Sequence, residues 1–358
     1  MSSYLLVDIG AGTMDVLWYE ENSGLHYKAV VKSPAPCIAE KLAATPGDLL
    51  ITGVEMGGGS LSQMLADRAG RGRVVMSASA AFTLHHDLSK VRSRGIEVLD
   101  DSAAEELRKS GSFSSVVVGD LDVERLAGIV KGFGIPFRFD IAAICAQDHG
   151  TPPAGVSHLD YRHNIFKARL DRTPFPHELL YKDDETPSTF NRLQSIAKSA
   201  AALPADEVYV MDSGMAAILG ASMDLQATRK ERLLVLDIAT SHTVGASIDN
   251  GELAGFFEYH THDVTLERLE GLLVDLADGK LEHRRILEEG GHGAYIRRAF
   301  GFEAVQAVIA TGPKRRLLTG SSLPIVYGSP LGDNMMTGTV GLLEAVRRRK
   351  GLPPIQYL

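Results

Sequence analysis

An internal repeat is the feature that most constrains the fold of this chain. Residues 5–31 have the pattern strand, glycine turn, strand, hairpin turn and strand, and residues 233–260 have the same pattern. The second copy contains Asp249-Asn-Gly251, and Asn-Gly is a strong hairpin signal because both central residues of a type I′ turn need positive φ. The alternative is that two common β-meanders are alike by chance. As a repeat, the pattern predicts a duplicated domain.

Between and after the two copies, strands alternate with helices, which predicts the α/β class. We predict strands at residues 116–120, 137–146 and 305–310, and helices at residues 60–69, 263–278 and 339–350. The stretch 150–190 is rich in Pro, Asp, His and Arg and lacks a clear period, so we interpret it as a long excursion or lid. We expect an N-terminal domain over residues 1–205, which includes this excursion, and a C-terminal domain over residues 206–358.

Composition limits the classes of partner. A chain of 358 residues with 44% hydrophobic residues is long enough for two cores. The net charge of −8 predicts that nucleic acid is not a partner. No apolar run of about eighteen residues is present, so no membrane span is expected. The first residues pass directly into a strand pattern without a signal-peptide pattern, and we therefore expect a cytoplasmic protein.

The glycine turn Asp8-Ile-Gly-Ala-Gly-Thr-Met-Asp15 is the most informative segment. It lacks the Lys-Ser/Thr pair of a Walker loop, and a β-branched and aromatic strand pattern follows it, whereas a dinucleotide fingerprint opens a helix. A strand–turn–strand remains, in which backbone N–H groups can approach an anion closely. Thr13 adds a hydroxyl donor, and Asp8 can hold the water shell of Mg²⁺. The alternative is a tight hairpin without a ligand.

The segment resembles the first phosphate motif of the actin, sugar-kinase and heat-shock-chaperone ATPase superfamily. The resemblance implies two actin-like ATPase domains, which are ribonuclease-H-like, around an interdomain cleft that binds ATP and Mg²⁺. It assigns nucleotide contacts in the first turn to Asp8, Gly10, Gly12, Thr13 and Asp15.

The resemblance continues along the chain in the expected order. Leu234 to Ser247 resembles the second phosphate motif, which implies nucleotide contacts for Asp237, Thr240, Ser241 and Thr243, with Asp8 and Asp237 near the metal. Ala239 and Ser241 replace the usual glycines. Because alanine does not adopt positive φ easily, we expect a looser phosphate contact or one made by hydroxyls. The strand and turn at Gly312 and Lys314 resemble the adenosine motif.

Two aspartates are candidates for catalysis. Asp212 starts a segment that resembles the interdomain connecting helix, at the position of the catalytic aspartate of glycerol-kinase-like enzymes. It could accept a proton from a substrate hydroxyl, or it could cap the helix. Asp148 and His149 follow an apolar strand and are expected to border the cleft. Small residues, including Gly220 and Gly341, predict close crossing of the two connecting helices.

Twelve histidines raise the possibility of a transition-metal site, because imidazole suits zinc or iron. The candidate groups are His149, then His158 with Asp160 and His163, then His260 with His262. None has a recognised ligand spacing, and scattered surface histidines are the alternative. Arg162, Arg169 and Arg172 are candidates for binding an anionic substrate, with solvated arginines as the alternative.

The whole chain is also similar to a prokaryotic family labelled as pyruvate formate-lyase activating enzyme. Taken literally, the label implies radical chemistry on a four-iron cluster, which needs three closely spaced cysteines. The chain has only Cys37 and Cys145. The label is therefore compatible with an ATP-driven accessory protein.

Three functions remain open. The first is a phosphotransferase that uses Mg-ATP and acts on a small-molecule hydroxyl or carboxylate, with Asp212 or Asp148 as the base. The second is an ATPase that activates or reactivates a partner enzyme. The third is a degenerate, non-catalytic scaffold that binds a partner.

Overall fold

The computed structural model describes residues 2–59, 61–153, 155–227 and 230–355. The strands are, in chain order, β1 (Ser3–Ile9), β2 (Thr13–Glu20), β3 (His26–Lys32), β4 (Leu49–Gly53), β5 (Val74–Ser77), β6 (Glu97–Leu99), β7 (Ser114–Val118), β8 (Phe139–Ala146), β9 (Leu180–Lys182), β10 (Ala205–Asp212), β11 (Arg232–Ile238), β12 (His242–Asp249), β13 (Glu252–His260), β14 (Gly293–Ile296), β15 (Ala307–Thr311) and β16 (Ile325–Tyr327).

The α-helices are α1 (Pro34–Ala44), α2 (Leu61–Ala69), α3 (Ala78–Ala81), α4 (Leu88–Arg92), α5 (Asp101–Ser110), α6 (Val123–Gly132), α7 (His158–Leu170), α8 (Asn191–Ala200), α9 (Ser213–Ser222), α10 (Leu266–Ala277), α11 (His283–Glu288) and α12 (Thr337–Arg349). Ser60, where a helix was predicted to begin, lies outside the described residues. None of the described helices combines the length and apolar character that crossing a membrane requires.

Two six-stranded sheets in the described part of the chain share the order of five strands, and the sixth strand lies at opposite edges of the two sheets. The first is β3-β2-β1-β8-β10-β9 and the second is β14-β13-β12-β11-β15-β16. In each, an antiparallel meander (β1–β3 or β11–β13) pairs through its first strand with a parallel strand, β8 or β15. A further parallel strand, β10 or β16, follows. The repeated topology confirms the predicted α/β fold with two actin-like ATPase domains.

A four-stranded parallel sheet in the order β6-β5-β4-β7 is inserted between β3 and β8. It has a separate core that includes Leu49, Ile51, Met76 and Val116, all at most 1% exposed. The sequence patterns indicated one helix and one strand of this region but not a sheet of its own.

The first sheet extends beyond the boundary expected between residues 205 and 206. β10 begins at Ala205 and pairs in parallel with β8, so this sheet reaches Asp212. α12, near the end of the chain, packs against β1 and β8. The polypeptide therefore returns to the first sheet after it has completed the second.

α9 and α12 cross at close range. A Cβ atom added at Gly220 would lie 1.8 Å from the carbonyl oxygen of Thr337, and one added at Gly341 would lie 1.8 Å from that of Ala216. The two backbones are thus in direct contact, which only glycine permits. This confirms the prediction that small residues allow the connecting helices to cross closely.

The segment 150–190 contributes regular structure to the first sheet and the main core, which corrects its interpretation as a long excursion or lid outside the core. α7 lies within it, and β9 pairs with β10 at the edge of the first sheet. Phe166 and Leu170 of α7 are buried in the main core. The same helix buries Arg162 and His163, and these polar residues hide the apolar stripe by which a helix is recognised in a sequence.

Candidate functional site

The two sheets carry equivalent turns. In the first, the amide of Gly10 donates to the carbonyl oxygen of Thr13 (3.0 Å), and in the second the amide of Ala239 donates to that of His242 (3.0 Å). Asp8 lies opposite Asp15 in the first hairpin. Asp237 occupies the position of Asp8 in the second hairpin, opposite Val244.

The turns meet at the cleft. A Cβ atom added at Gly12 would lie 3.1 Å from Cγ2 of Thr240. Residues of both turns line one cavity of about 840 Å³, which is large enough for a nucleotide. The turns therefore share one gap, as the sequence analysis predicted.

The glycines of the first turn allow other groups to approach the backbone closely. They are not needed for an unusual backbone conformation. Neither Gly10 nor Gly12 is among the residues with positive φ. The equivalent Ala239 is not strained either, which removes the backbone reason for a looser phosphate contact. A looser contact, or one made by hydroxyls, stays a prediction. At Gly12 a side chain would press on Thr240, so the absent Cβ lets the turns touch.

Three carboxylates face this gap with unusual pKa values. Burial, together with the charge of Asp237, raises the pKa of Asp8 to about 7, and burial raises that of Asp237 to about 6. Burial and the nearby Asp8 raise the pKa of Asp15 to about 8. Oδ1 of Asp15 is buried and lacks a hydrogen-bond partner among the described residues. Oxygen donors of this kind fit Mg²⁺, which would offset the burial of their charge.

The charge of the whole cavity supports the same conclusion. Among the described residues that line it, one arginine, Arg192, faces six carboxylates. These carboxylates belong to Asp8, Asp15, Glu55, Asp148, Asp237 and Glu258. This acidic lining disfavours a free polyphosphate, and a bound divalent cation would reduce the repulsion.

Most of the residues predicted to bind the nucleotide line the cavity. They are Asp8, Gly10, Thr13, Asp15, Asp237, Thr240, Ser241 and Gly312. Gly12 contacts Thr240 at the edge of the gap. Thr243 and Lys314 do not line the cavity: the Thr243 hydroxyl pairs with that of Thr261 (3.0 Å), and the backbone amide of Lys314 donates to the carbonyl of Ile238 (2.9 Å).

Both predicted catalytic aspartates have structural partners. Asp212 caps α9, because its Oδ1 accepts from the amide of Gly214 (3.0 Å), and its Oδ2 accepts from Arg162 (2.8 Å). Asp148 accepts from the amides of Gly150 (2.7 Å) and Leu193 (2.9 Å). Of the two, only Asp148 lines the cavity.

The cavity also contains an acid–base pair that the sequence patterns did not indicate. Glu55, just after β4, contacts Nε2 of His86 through Oε1 (2.8 Å). The hydrogen bond to Glu55 raises the pKa of His86. Oε2 of Glu55 is buried and lacks a partner among the described residues. The only sequence signal was the position of Glu55 just before the glycine run of residues 57–59.

The predicted histidine groups are rearranged. His260 lies with His242 and His292, and their ligand atoms are all within 4.8 Å of one another. His262 is exposed, His158 stacks on His86, and His163 stacks on His283. Arg162 is buried between Asp212 and Glu258, whereas Arg169 is exposed and pairs with Glu178. His149 lies beside the trio, with its ring centroid 5.4 Å from that of His292.

Residues 56–317 match the family described as "Putative pyruvate format-lyase activating enzyme (DUF1786)". The chain belongs to this family. A search of curated proteins gave no match. The family description thus agrees with the resemblance found in the sequence.

Several solved structures are similar in fold over nearly the whole length. One is the inorganic polyphosphate/ATP-glucomannokinase from Arthrobacter sp. strain KM, at 13% identity and a TM-score of 0.38, with 97% of this chain and 100% of that chain covered. Another is the ROK hexokinase from Thermus thermophilus, at 12% identity and a TM-score of 0.32, with 98% and 99% covered. A third is the PilM-PilN type IV pilus biogenesis complex, at 12% identity and a TM-score of 0.38, with 96% and 98% covered. The repeated strand order, and not these scores, defines the fold.

An iron–sulfur cluster does not fit this chain. Cys145 is buried, and its thiol donates to Asp8 (3.2 Å). Cys37 lies in α1 and does not line the cavity. Two cysteines in these separate places cannot supply the three thiolates that such a cluster needs.

Proposed function

We propose that this protein binds Mg-ATP in the cleft and transfers phosphate to a small molecule. One observation carries the proposal: two equivalent turns, each preceded by an aspartate, meet at Gly12 and Thr240 and line the same acidic cavity. A ligand held there would contact both sheets at once.

Each part of the cavity has a role in this proposal. Asp8 and Asp237 would hold the water shell of Mg²⁺, and the amides and hydroxyls of the two turns would contact phosphate oxygens. Gly312 has φ of +87° and packs against the end of β11, where its carbonyl accepts from Asn334 (3.1 Å). This wall of the cavity would receive the adenosine. When bound, ATP supplies the phosphoryl group and Mg²⁺ neutralises its charge.

Glu55 is a better candidate base than Asp148 or Asp212. Both oxygens of each aspartate accept hydrogen bonds from the protein, whereas Oε2 of Glu55 is free to accept a proton from a substrate hydroxyl. His86 holds the other oxygen in place. The neighbouring Gly57, Gly58 and Thr83 also line the cavity, and this end would hold the acceptor.

Calorimetric titration of Mg-ATP tests the binding step. We expect wild type to bind and Asp8→Asn to lose at least about tenfold in affinity, because a neutral amide is a poor partner for hydrated Mg²⁺. Asp206→Asn, which changes an exposed carboxylate at the start of β10, is the control and should bind normally. Absence of binding to wild type would refute the proposal and favour a scaffold.

Turnover separates the two ATP-dependent functions. A phosphotransferase should release ADP in proportion to one metabolite in a screen, and Glu55→Gln should lower kcat while the affinity for ATP is kept. An ATPase that acts on a partner would instead release ADP slowly without any metabolite and respond to a protein.

A further inference from the structure

Three histidines from one edge of the second sheet converge on the cleft. His242 begins β12, His260 ends β13, and His292 precedes β14. The pairing of β12 with β13 sets His242 opposite His260, and the amide of His292 donates to the carbonyl of Glu258 (2.8 Å). Backbone pairing therefore fixes the positions of all three residues. All three line the large cavity.

The ring nitrogens of the three histidines lie close together, within 4.8 Å of one another. Nδ1 of His292 contacts Oε1 of Glu258 (3.3 Å), and in the neutral tautomer that donates from Nδ1 to this carboxylate, Nε2 carries the lone pair. Nε2 of His292 lies 3.1 Å from Nε2 of His260. Nε2 of His242 is buried and has no hydrogen-bond partner in the described part of the chain.

A hydrogen bond between two imidazoles does not account for this arrangement. It would pair His260 with His292 and still leave Nε2 of His242 without a partner. Nδ1 of His149, beside the trio, is also buried and unpartnered. Buried polar atoms are rarely left unsatisfied in this way unless something binds them. A cation coordinated by the ring nitrogens of the trio would give all of them a partner.

Residues around the three histidines hold them in place through hydrogen bonds, as the residues behind the ligands of a metal site do. Glu258 is fixed from two sides: Oε2 accepts from Arg162 (2.6 Å), and Oε1 accepts from Gln147. Arg162 is held in turn by Asp212. A carboxylate on the far nitrogen of a ligating histidine fixes its tautomer and raises its basicity. Glu258 has this relation to His292.

We propose that His242, His260 and His292 bind a divalent transition metal, with Zn²⁺ as the probe of choice, and leave a coordination position open to the cavity. Two nitrogens on a tetrahedral zinc are about 3.3 Å apart, given Zn–N bonds of about 2.0–2.1 Å, and the observed His260–His292 separation of 3.1 Å is close to this. Three imidazoles suit such a metal, whereas Mg²⁺ prefers the oxygen donors of Asp8 and Asp237. The open position would bind an oxygen atom of a substrate.

Metal binding can be tested without nucleotide, so its outcome is independent of the proposed phosphotransferase. The full chain, without a histidine tag, is stripped with chelator and titrated with Zn²⁺ by calorimetry and with Co²⁺ by visible absorption. We expect one ion per chain and the absorption bands of nitrogen-bound Co²⁺. His260→Ala should weaken Zn²⁺ binding at least about 100-fold, because three protein ligands become two.

His262→Ala is the matched control. His262 is two residues away and its side chain is 76% exposed, so its loss should leave the affinity unchanged. His242→Ala is the second test and should match His260→Ala, with circular dichroism to show that both variants are folded. The proposal is overturned if wild type binds no ion, or if folded His242→Ala and His260→Ala both bind Zn²⁺ as wild type does.

Discussion

At the scale of single residues, the two turns differ where their chemistry differs. The second copy has Val244 where the first has Asp15, and His242 where the first has Thr13. The first turn therefore presents two carboxylates to the cleft, and the second presents one carboxylate and one imidazole. Because the backbone turn is the same, side chains alone decide which side suits oxygen-binding and which suits nitrogen-binding cations.

Gly12 sets the distance between the turns. In Gly12→Ala the new methyl group would press on Cγ2 of Thr240 at 3.1 Å. We expect the turns to move apart by a few tenths of an ångström and the affinity for Mg-ATP to fall roughly five- to tenfold, which is about 1 kcal/mol. The measurement is calorimetric titration.

Thr240→Ala supplies the control for this substitution. It removes the methyl and hydroxyl groups that the new side chain would meet. Adding Gly12→Ala to Thr240→Ala should therefore lower the affinity for Mg-ATP much less than Gly12→Ala lowers it in wild type. Equal losses with and without Thr240 would show that contact between the turns is not the cause.

At the scale of elements, α7 links the two sheets through one buried ion cluster. Arg162 reaches Asp212 at the end of β10 and Glu258 in β13, and the side chains of all three residues are about 5% exposed. Removing the guanidinium would leave two carboxylates buried without a counter-charge. The helix that the sequence patterns did not reveal is thus the one that carries this link.

Arg162→Ala should therefore be strongly destabilising. We expect a loss of about 3–5 kcal/mol in the free energy of unfolding, measured by urea denaturation. Arg169→Ala is the control on the same helix: its side chain is 51% exposed in its pair with Glu178, and we expect a loss of at most about 1 kcal/mol. Similar losses in the two variants would contradict this account.

The crossing of α9 and α12 gives a second prediction for helices. Gly220→Ala places a methyl group 1.8 Å from a carbonyl oxygen of the partner helix and should cost about 3 kcal/mol or more in unfolding free energy. Gly128→Ala in α6 meets no atom within 4 Å and should stabilise by about 0.5–1 kcal/mol, because alanine favours the helix. Thermal unfolding of both variants should therefore shift in opposite directions, and a shift in the same direction would be contrary evidence.

At the scale of the whole molecule, the sequence predicts local elements. It does not predict contacts that depend on how distant segments pair. The two meanders, the turns and the connecting helices follow from local patterns and from their order along the chain. The sheet of β4–β7 was missed because its short strands show no alternation. Glu55 and His86 are far apart in sequence, and only the folded chain brings them together.

The histidine trio shows the same limit. His242 and His260 are paired across the hairpin closed by Asn250 and Gly251, so counting outward from that turn could have matched them. However, a register shift near Ser247 changes the pairing by one residue, so that count from the turn would give the wrong partner. His292 joins them only through the antiparallel pairing of β14 with β13, for which the sequence carries no turn signal.

The cleft belongs to both sheets, and this predicts how the two aspartates combine. If Mg-ATP is held by both turns, Asp8→Asn and Asp237→Asn should each remove at least about half of the thermal stabilisation that Mg-ATP gives wild type. At a concentration 100 times Kd, that stabilisation is about 2.7 kcal/mol. The double variant should lose little more than either single variant, because a ligand that needs both contacts is already lost with one. The shifts are measured by differential scanning fluorimetry, and a full shift in Asp237→Asn would mean that the second turn takes no part in binding.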